Sequence, residues 1–157
     1  MPVPTYSVGQ VLGAADVNTW FVPLAAVAGT DQSNSTTVMV NDNTLSVAVA
    51  ASANYAVELF IRCNGPNTTA FVAQLTGPSG ATLSMTYVNA AATNDINLGT
   101  GFGATCVGAG TDIAFALIGS LVTSSTAGTL QLQFDSGTGG NLVTRRARSR
   151  LTLQRIG

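Results

Sequence analysis

The chain has 157 residues, of which 46% are hydrophobic and only 8% charged, with a formal net charge of −1; a charged share of about 25% is usual. It contains no Lys, no His and a single Glu, Glu58, which excludes Ser-His-Asp and Cys-His nucleophilic pairs, His-based metal sites and the lysine of a P-loop. So little charge gives weak mutual repulsion in solution and suits a protein that packs against copies of itself or a larger assembly.

The length predicts one compact domain with an appended arm. Mean hydropathy is positive, yet no stretch supplies the roughly 20 consecutive apolar residues of a membrane-spanning helix. The longest apolar block, Ile113 to Val122, is interrupted by Gly119 and Ser120. The opening MPVPTYSVGQ has neither a basic n-region nor an apolar h-region, so no signal peptide is expected. Cytoplasmic synthesis follows, with Cys63 and Cys106 expected as reduced, buried thiols; the sequence leaves open a bridge between them.

In chain order, residues 1–30 hold Pro2, Pro4, Pro23 and the only Trp, Trp20. The stretch GAADVNTWF within them predicts one or two helical turns. This segment is read as an N-terminal anchoring arm, and residues 31–157 as a β-sandwich domain. From about Thr36 the hydrophobic pattern has period two, the signature of half-buried strands. In TLSVAVA the residues Leu45, Val47 and Val49 share a face. In NYAVELFIRC the residues Tyr55, Val57, Leu59, Ile61 and Cys63 face one way, and Glu58, Phe60 and Arg62 the other. AFVAQL, TLSMTYV, DIAFALIGSLV and TLQLQF continue the pattern, Leu130, Leu132 and Phe134 alternating with Gln131 and Gln133. Turn clusters separate these runs: NDN at 41–43, NGPN at 64–67, GPSG at 77–80, GTGFG at 99–103, SSTAG at 124–128 and SGTGGN at 136–141. Six to nine strands of this kind predict an all-β fold, a two-layer antiparallel β-sandwich or jelly roll.

Chemistry-bearing patterns are sparse. The run GTGFGATCVGAG, Gly99 to Gly110, matches neither the dinucleotide fingerprint nor the P-loop and is read as a surface loop. Among the acidic residues only Glu58 is expected in mid-strand, with Asp16, Asp31, Asp42, Asp95, Asp112 and Asp135 at turns or segment ends, where Asp bonds its own backbone. No carboxylate pair for glycoside hydrolysis and no calcium loop emerges. Asn34-Ser35-Thr36 and Asn67-Thr68-Thr69 are formal glycosylation sequons, read as turns. No cofactor or metal is expected.

Five of the six basic residues lie in NLVTRRARSRLTLQRIG at the end of the chain. The apolar rhythm persists there, with Ala147, Ser149, Leu151 and Leu153 on one face and Thr144, Arg146, Arg148, Arg150, Thr152 and Gln154 on the other. This predicts a closing strand carrying an arginine row. Like charges on alternate residues, about 6.5–7 Å apart, repel unless something faces them. Arg146, Arg148 and Arg150 are therefore candidates for a subunit or partner interface, facing Gln131, Gln133 and Asp135, an adjacent subunit or an acidic surface. Nucleic-acid binding is not expected of so short a basic row in an acidic chain.

The stretch YSVGQVLGAADVNTWFVPLA, Tyr6 to Ala25, resembles the opening of structural proteins of tailed phages, especially those of actinobacteria. Gly9, Gln10, Val11, Leu12, Ala14, Ala15, Asp16, Val17 and Asn18 carry the likeness, over about 20 residues of the chain. The resemblance implies a virion protein assembled in the host cytoplasm, of the capsid decoration or head-fibre type, with a tumour-necrosis-factor-like jelly roll that forms a homotrimer. Its arm would bind the major capsid protein through Val11, Leu12, Trp20 and Phe21, aromatic residues giving large burial in few contacts. The alternative within the same family is a tail-fibre or minor tail module that binds a host surface glycan through loops 64–69, 89–103 and 136–141, with Tyr87 or Phe102 stacking on a sugar.

Overall fold

The computed structural model describes residues 13, 23–88 and 95–157. Among them the backbone forms strands and no helix: β1 Leu24–Val27, β2 Gln32–Asn34, β3 Val40–Val49, β4 Asn54–Gly65, β5 Ala70–Thr76, β6 Thr82–Tyr87, β7 Phe102–Thr105, β8 Gly108–Val122, β9 Gly128–Ser136, β10 Val143–Arg145 and β11 Arg150–Arg155. Every pairing between them is antiparallel. The larger sheet runs β6-β8-β4, then β11 and β10 in succession along the far side of β4, with β1 outside β11 and β2 outside β10. The smaller sheet has the order β3-β9-β5-β7.

The period-two pattern places the core as expected. Tyr55, Val57, Leu59, Ile61 and Cys63 of β4 are buried against Leu45, Val47 and Val49 of β3 and Leu130, Leu132 and Phe134 of β9. Phe71 stacks on Phe134 with ring centroids 5.3 Å apart. The result is an antiparallel β-sandwich of jelly-roll type, one face of each sheet turned to a shared core.

Four expectations change. Strands begin at Leu24, because Leu24–Val27 pair with Leu153–Arg150; the sheet thus takes in residues assigned to the arm. The glycine run at 99–110 is strand and not loop over most of its length, since it supplies β7 and the start of β8. A Cβ on Gly103 would lie 1.9 Å from the Phe71 carbonyl oxygen, so glycine there lets β7 approach β5. Asp42 and Asp112 lie within strands and not at turns, whereas Asp135 stands at the end of β9 as expected. Finally, the closing strand is broken: residues 146–149 bend, Arg148 takes φ 68°, and β10 and β11 result.

The break is shared with the neighbouring strand pair. Ala28, between β1 and β2, exchanges backbone bonds with the bend, its N–H donating to Ser149 O (2.9 Å) and its carbonyl accepting from Arg148 N (2.7 Å). The buried Ser149 hydroxyl fills the gap in the β4 ladder by accepting from Arg62 N at 3.0 Å and donating to Arg146 O at 2.8 Å. β1 starts toward the end of the sandwich where β11 finishes and where Asn54 N donates to the Gly157 carbonyl (2.8 Å). The loops at 35–39, 66–69 and 137–142 lie at the opposite end.

Candidate functional site

The arginine-rich segment is the natural place to look for a site, and the structure divides its charges by face. Arg145 shares the odd-numbered parity of Leu151 and Leu153 and points inward, where it is 1% exposed. Its guanidinium forms an ion pair with Asp42, reaches the Thr30 carbonyl and donates to Thr44 Oγ1 at 3.3 Å. Asp42 is equally buried, turned inward by a register shift in β3 between Asn41 and Ser46. Its Oδ1 also accepts from the backbone N–H groups of Thr44 (2.9 Å) and Leu45 (2.8 Å). The pair links the two sheets through the core, a structural role the charge pattern alone did not reveal. The parity of Arg145 was the available signal.

The predicted outer row does not form. Arg146 pairs with Asp31 and, at 3.1 Å, with Asp112, which also accepts from Arg62 at 2.7 Å and Asn64 at 3.1 Å. Arg150 pairs with Glu58 at 2.7 Å and lies over the Phe60 ring, 5.0 Å from its centroid. Arg148 is exposed on the bend. The suggested partners Gln131, Gln133 and Asp135 lie on β9 in the other sheet. There Gln131 Nε2 donates to Asp42 O (2.9 Å) and Gln133 Nε2 to Asn41 Oδ1 (2.7 Å). These surface ion pairs are half-exposed, so each contributes at most about 1 kcal/mol.

Asp135 is 8% exposed, and burial raises its carboxyl above the ordinary carboxylate value. The folded protein thus favours the protonated form more than the unfolded chain does, and stability is lost as pH rises through the folded-state value. Asp135→Asn is expected to raise the thermal midpoint at pH 7, with the gain vanishing below about pH 4; melting curves across that range check it.

The proposed sugar-stacking residues are otherwise engaged. Phe102 is buried at 6% exposure and meets Phe115 edge-on at 6.4 Å between centroids. The Tyr87 hydroxyl donates to Gly103 O and accepts from Gly103 N, both at 2.8 Å, because β6 ends beside β7 across the open side of the sandwich. Val11, Leu12, Trp20 and Phe21 lie outside the described residues. Among the described residues no three His, Cys, Asp or Glu side chains group as metal ligands, and no helix is long and apolar enough to cross a membrane.

A feature the sequence reading missed is the outward face of the larger sheet. Across β11, β4 and β8 it presents Thr152, Ala56 and Gly119, small residues around a shallow depression of ≈ 280 Å³ that Gln154, Glu58 and Ile118 also line. Ile118 and Val122 stand out from this face at 49% and 46% exposure. The charges beside the depression, Glu58 and Arg150, neutralise one another. An apolar knob thus stands next to a hollow on a flat face without net local charge.

The fold places the chain among jelly-roll sandwiches. No family model matches the sequence, and no curated protein sequence matches it. Among solved structures it is similar to Eiger TNF from S. frugiperda, with a TM-score of 0.51 and 10% identity over 87% of this chain and 92% of that one. Similarity also extends to a chain of infectious bursal disease virus Gx strain, with a TM-score of 0.28 and 13% identity; it takes in 98% of this chain and 44% of that one, so this chain spans under half its length. At these identities the likeness to Eiger TNF establishes a tumour-necrosis-factor-like fold and nothing further.

Proposed function

We propose that this protein is a non-enzymatic virion structural protein, a capsid decoration or head-fibre protein that self-associates through the outward face of its larger sheet. The observation that carries self-association is the Ile118 knob beside the hollow lined by Ala56, Thr152 and Gln154. Each copy can seat its knob in the hollow of the next without desolvating an unpaired charge, because the charge cluster of Arg62, Asp112 and Arg146 lies farther along the same face. The tumour-necrosis-factor-like resemblance supports a homotrimer about an axis along this face. The low charge of the chain and the phage-like stretch Tyr6 to Ala25 support the virion assignment. Residues 1–22, with Val11, Leu12, Trp20 and Phe21, then serve as the anchor on the major capsid protein.

Mass measurement of the free protein at micromolar concentration tests this reading. A trimer is expected, and Ile118→Arg should convert it to monomer, since three added cations would meet in a small area. A clean wild-type monomer overturns the self-association reading. Trp20→Ala should reduce incorporation into particles; unchanged incorporation sinks the anchor assignment.

One observation favours the tail-fibre alternative. Loops 64–69 and 136–141 meet at the end of the sandwich away from β1's start, where Asn141 Nδ2 donates to Thr69 Oγ1 at 2.9 Å, and Val38, Val107 and Leu142 are exposed on loops. Such an end would present a neutral surface to a host glycan. Binding of the isolated protein to host cells, and not to purified capsids, favours that alternative over decoration.

A further inference from the structure

Cys63 and Cys106 are far apart in sequence, but folding brings them together at the boundary between the sheets. Cys63 lies on the inward face of β4, in the larger sheet, and is fully buried; Cys106 follows β7, the edge strand of the smaller sheet, and is 1% exposed. Both are free thiols, near enough for each to influence the titration of the other. The backbone of Cys106 is pinned on both sides, its N–H donating to Thr69 O at 2.8 Å and its carbonyl accepting from Thr68 N at 3.0 Å. Gly65 makes the room: a Cβ there would lie 3.1 Å from Cys106 Sγ and 3.0 Å from Val143 Cγ1. The absence of a side chain at position 65 thus lets the Cys106 sulfur settle against β4, next to the inward-pointing residue two positions earlier.

We propose that Cys63 and Cys106 form a site of reversible covalent modification, closing to a disulfide that ties the two sheets together when the protein meets a disulfide oxidant such as oxidised glutathione. One thiolate attacks a sulfur of oxidised glutathione, forming a mixed disulfide and releasing one glutathione thiolate. The second cysteine attacks that mixed disulfide at the protein sulfur and expels the second glutathione. Two protons and two electrons leave the protein, one S–S bond forms, and one oxidised glutathione becomes two reduced ones. Burial pushes the Cys63 thiol up to about 12 and raises Cys106 as well, so thiolate is scarce in the folded state and the native pair reacts slowly. The protein therefore keeps its dithiol in a reducing compartment and closes the link during folding or slow opening in an oxidising one.

The test is to refold the full chain in oxidised glutathione beside a sample refolded in reductant, and to compare intact mass, peptide maps and thermal midpoints. Expected are the loss of two hydrogen masses, one peptide joining Cys63 to Cys106, and a midpoint raised by roughly 5–15 °C, all reversed by dithiothreitol. Cys106→Ser and Cys63→Ala, made separately so that one poorly folding variant does not decide the matter, should show no such rise. Glutathione adducts held on separate cysteines, links between chains, two free thiols after oxidative refolding, or a linked protein with a lowered midpoint would each overturn the proposal.

Discussion

Arg145→Ala is expected to remove about 3–5 kcal/mol of folding stability, a large part of the roughly 5–15 kcal/mol available to a domain of this kind. The loss is large because the Asp42 carboxylate stays behind, 2% exposed, without its guanidinium. The carbonyl of Thr30 loses its buried donor at the same time. Urea unfolding followed by fluorescence measures the effect as a lower midpoint at similar slope. Arg145→Met combined with Asp42→Asn should recover part of it. Asn keeps an Oδ1 for the backbone N–H groups of Thr44 and Leu45 while removing the buried charge, so the two sites should couple in a double-mutant cycle. Additive losses would show that the pair does not act as a unit across the core.

Gly119→Ala should be comparably damaging, at about 3 kcal/mol or more. Gly119 sits in β8 between β4 and β6, opposite Val57 on one side and Met85 on the other. A Cβ there would lie 2.0 Å from the Ser84 carbonyl oxygen and 2.7 Å from Met85 Cα. Both obstacles are backbone, so relief requires moving β6 and breaking its ladder with β8. A reduced thermal midpoint and early amide exchange confined to Thr82–Tyr87 are expected; unchanged exchange in that strand would contradict the close-approach argument. Because Ile118 is the next residue, the same substitution should also weaken self-association, and mass measurement separates the two effects.

The sandwich was legible because strand pattern is local. Leu45, Val47 and Val49, or Leu130, Leu132 and Phe134, need only their neighbours to show a period of two, and burial of that face is the strongest force acting on them. The candidate site was less legible. The arginine row looked continuous because parity survives a bend: Ser149, Leu151 and Leu153 still face inward after residues 146–149 leave the ladder. Parity could have exposed Arg145 as a core residue, yet a buried arginine makes sense only beside an acid, and Asp42 reaches the interior through a shift in β3 that leaves no mark in NDN.

The sequence by itself determined an all-β chain of very low charge without the side chains for His- or Lys-dependent chemistry, since composition and short-range alternation are properties of the chain alone. Only the tertiary structure decided which charges meet and which surface stays open. Arg145 and Asp42 are 103 residues apart, as Arg150 and Glu58 are by 92, and such partners are chosen by sheet order and register. The same ordering neutralised the predicted arginine row and left the Ile118 face uncovered. It also set Cys106 against Cys63, for electrostatics and thiol chemistry act through distances of a few ångströms that no spacing along the chain records.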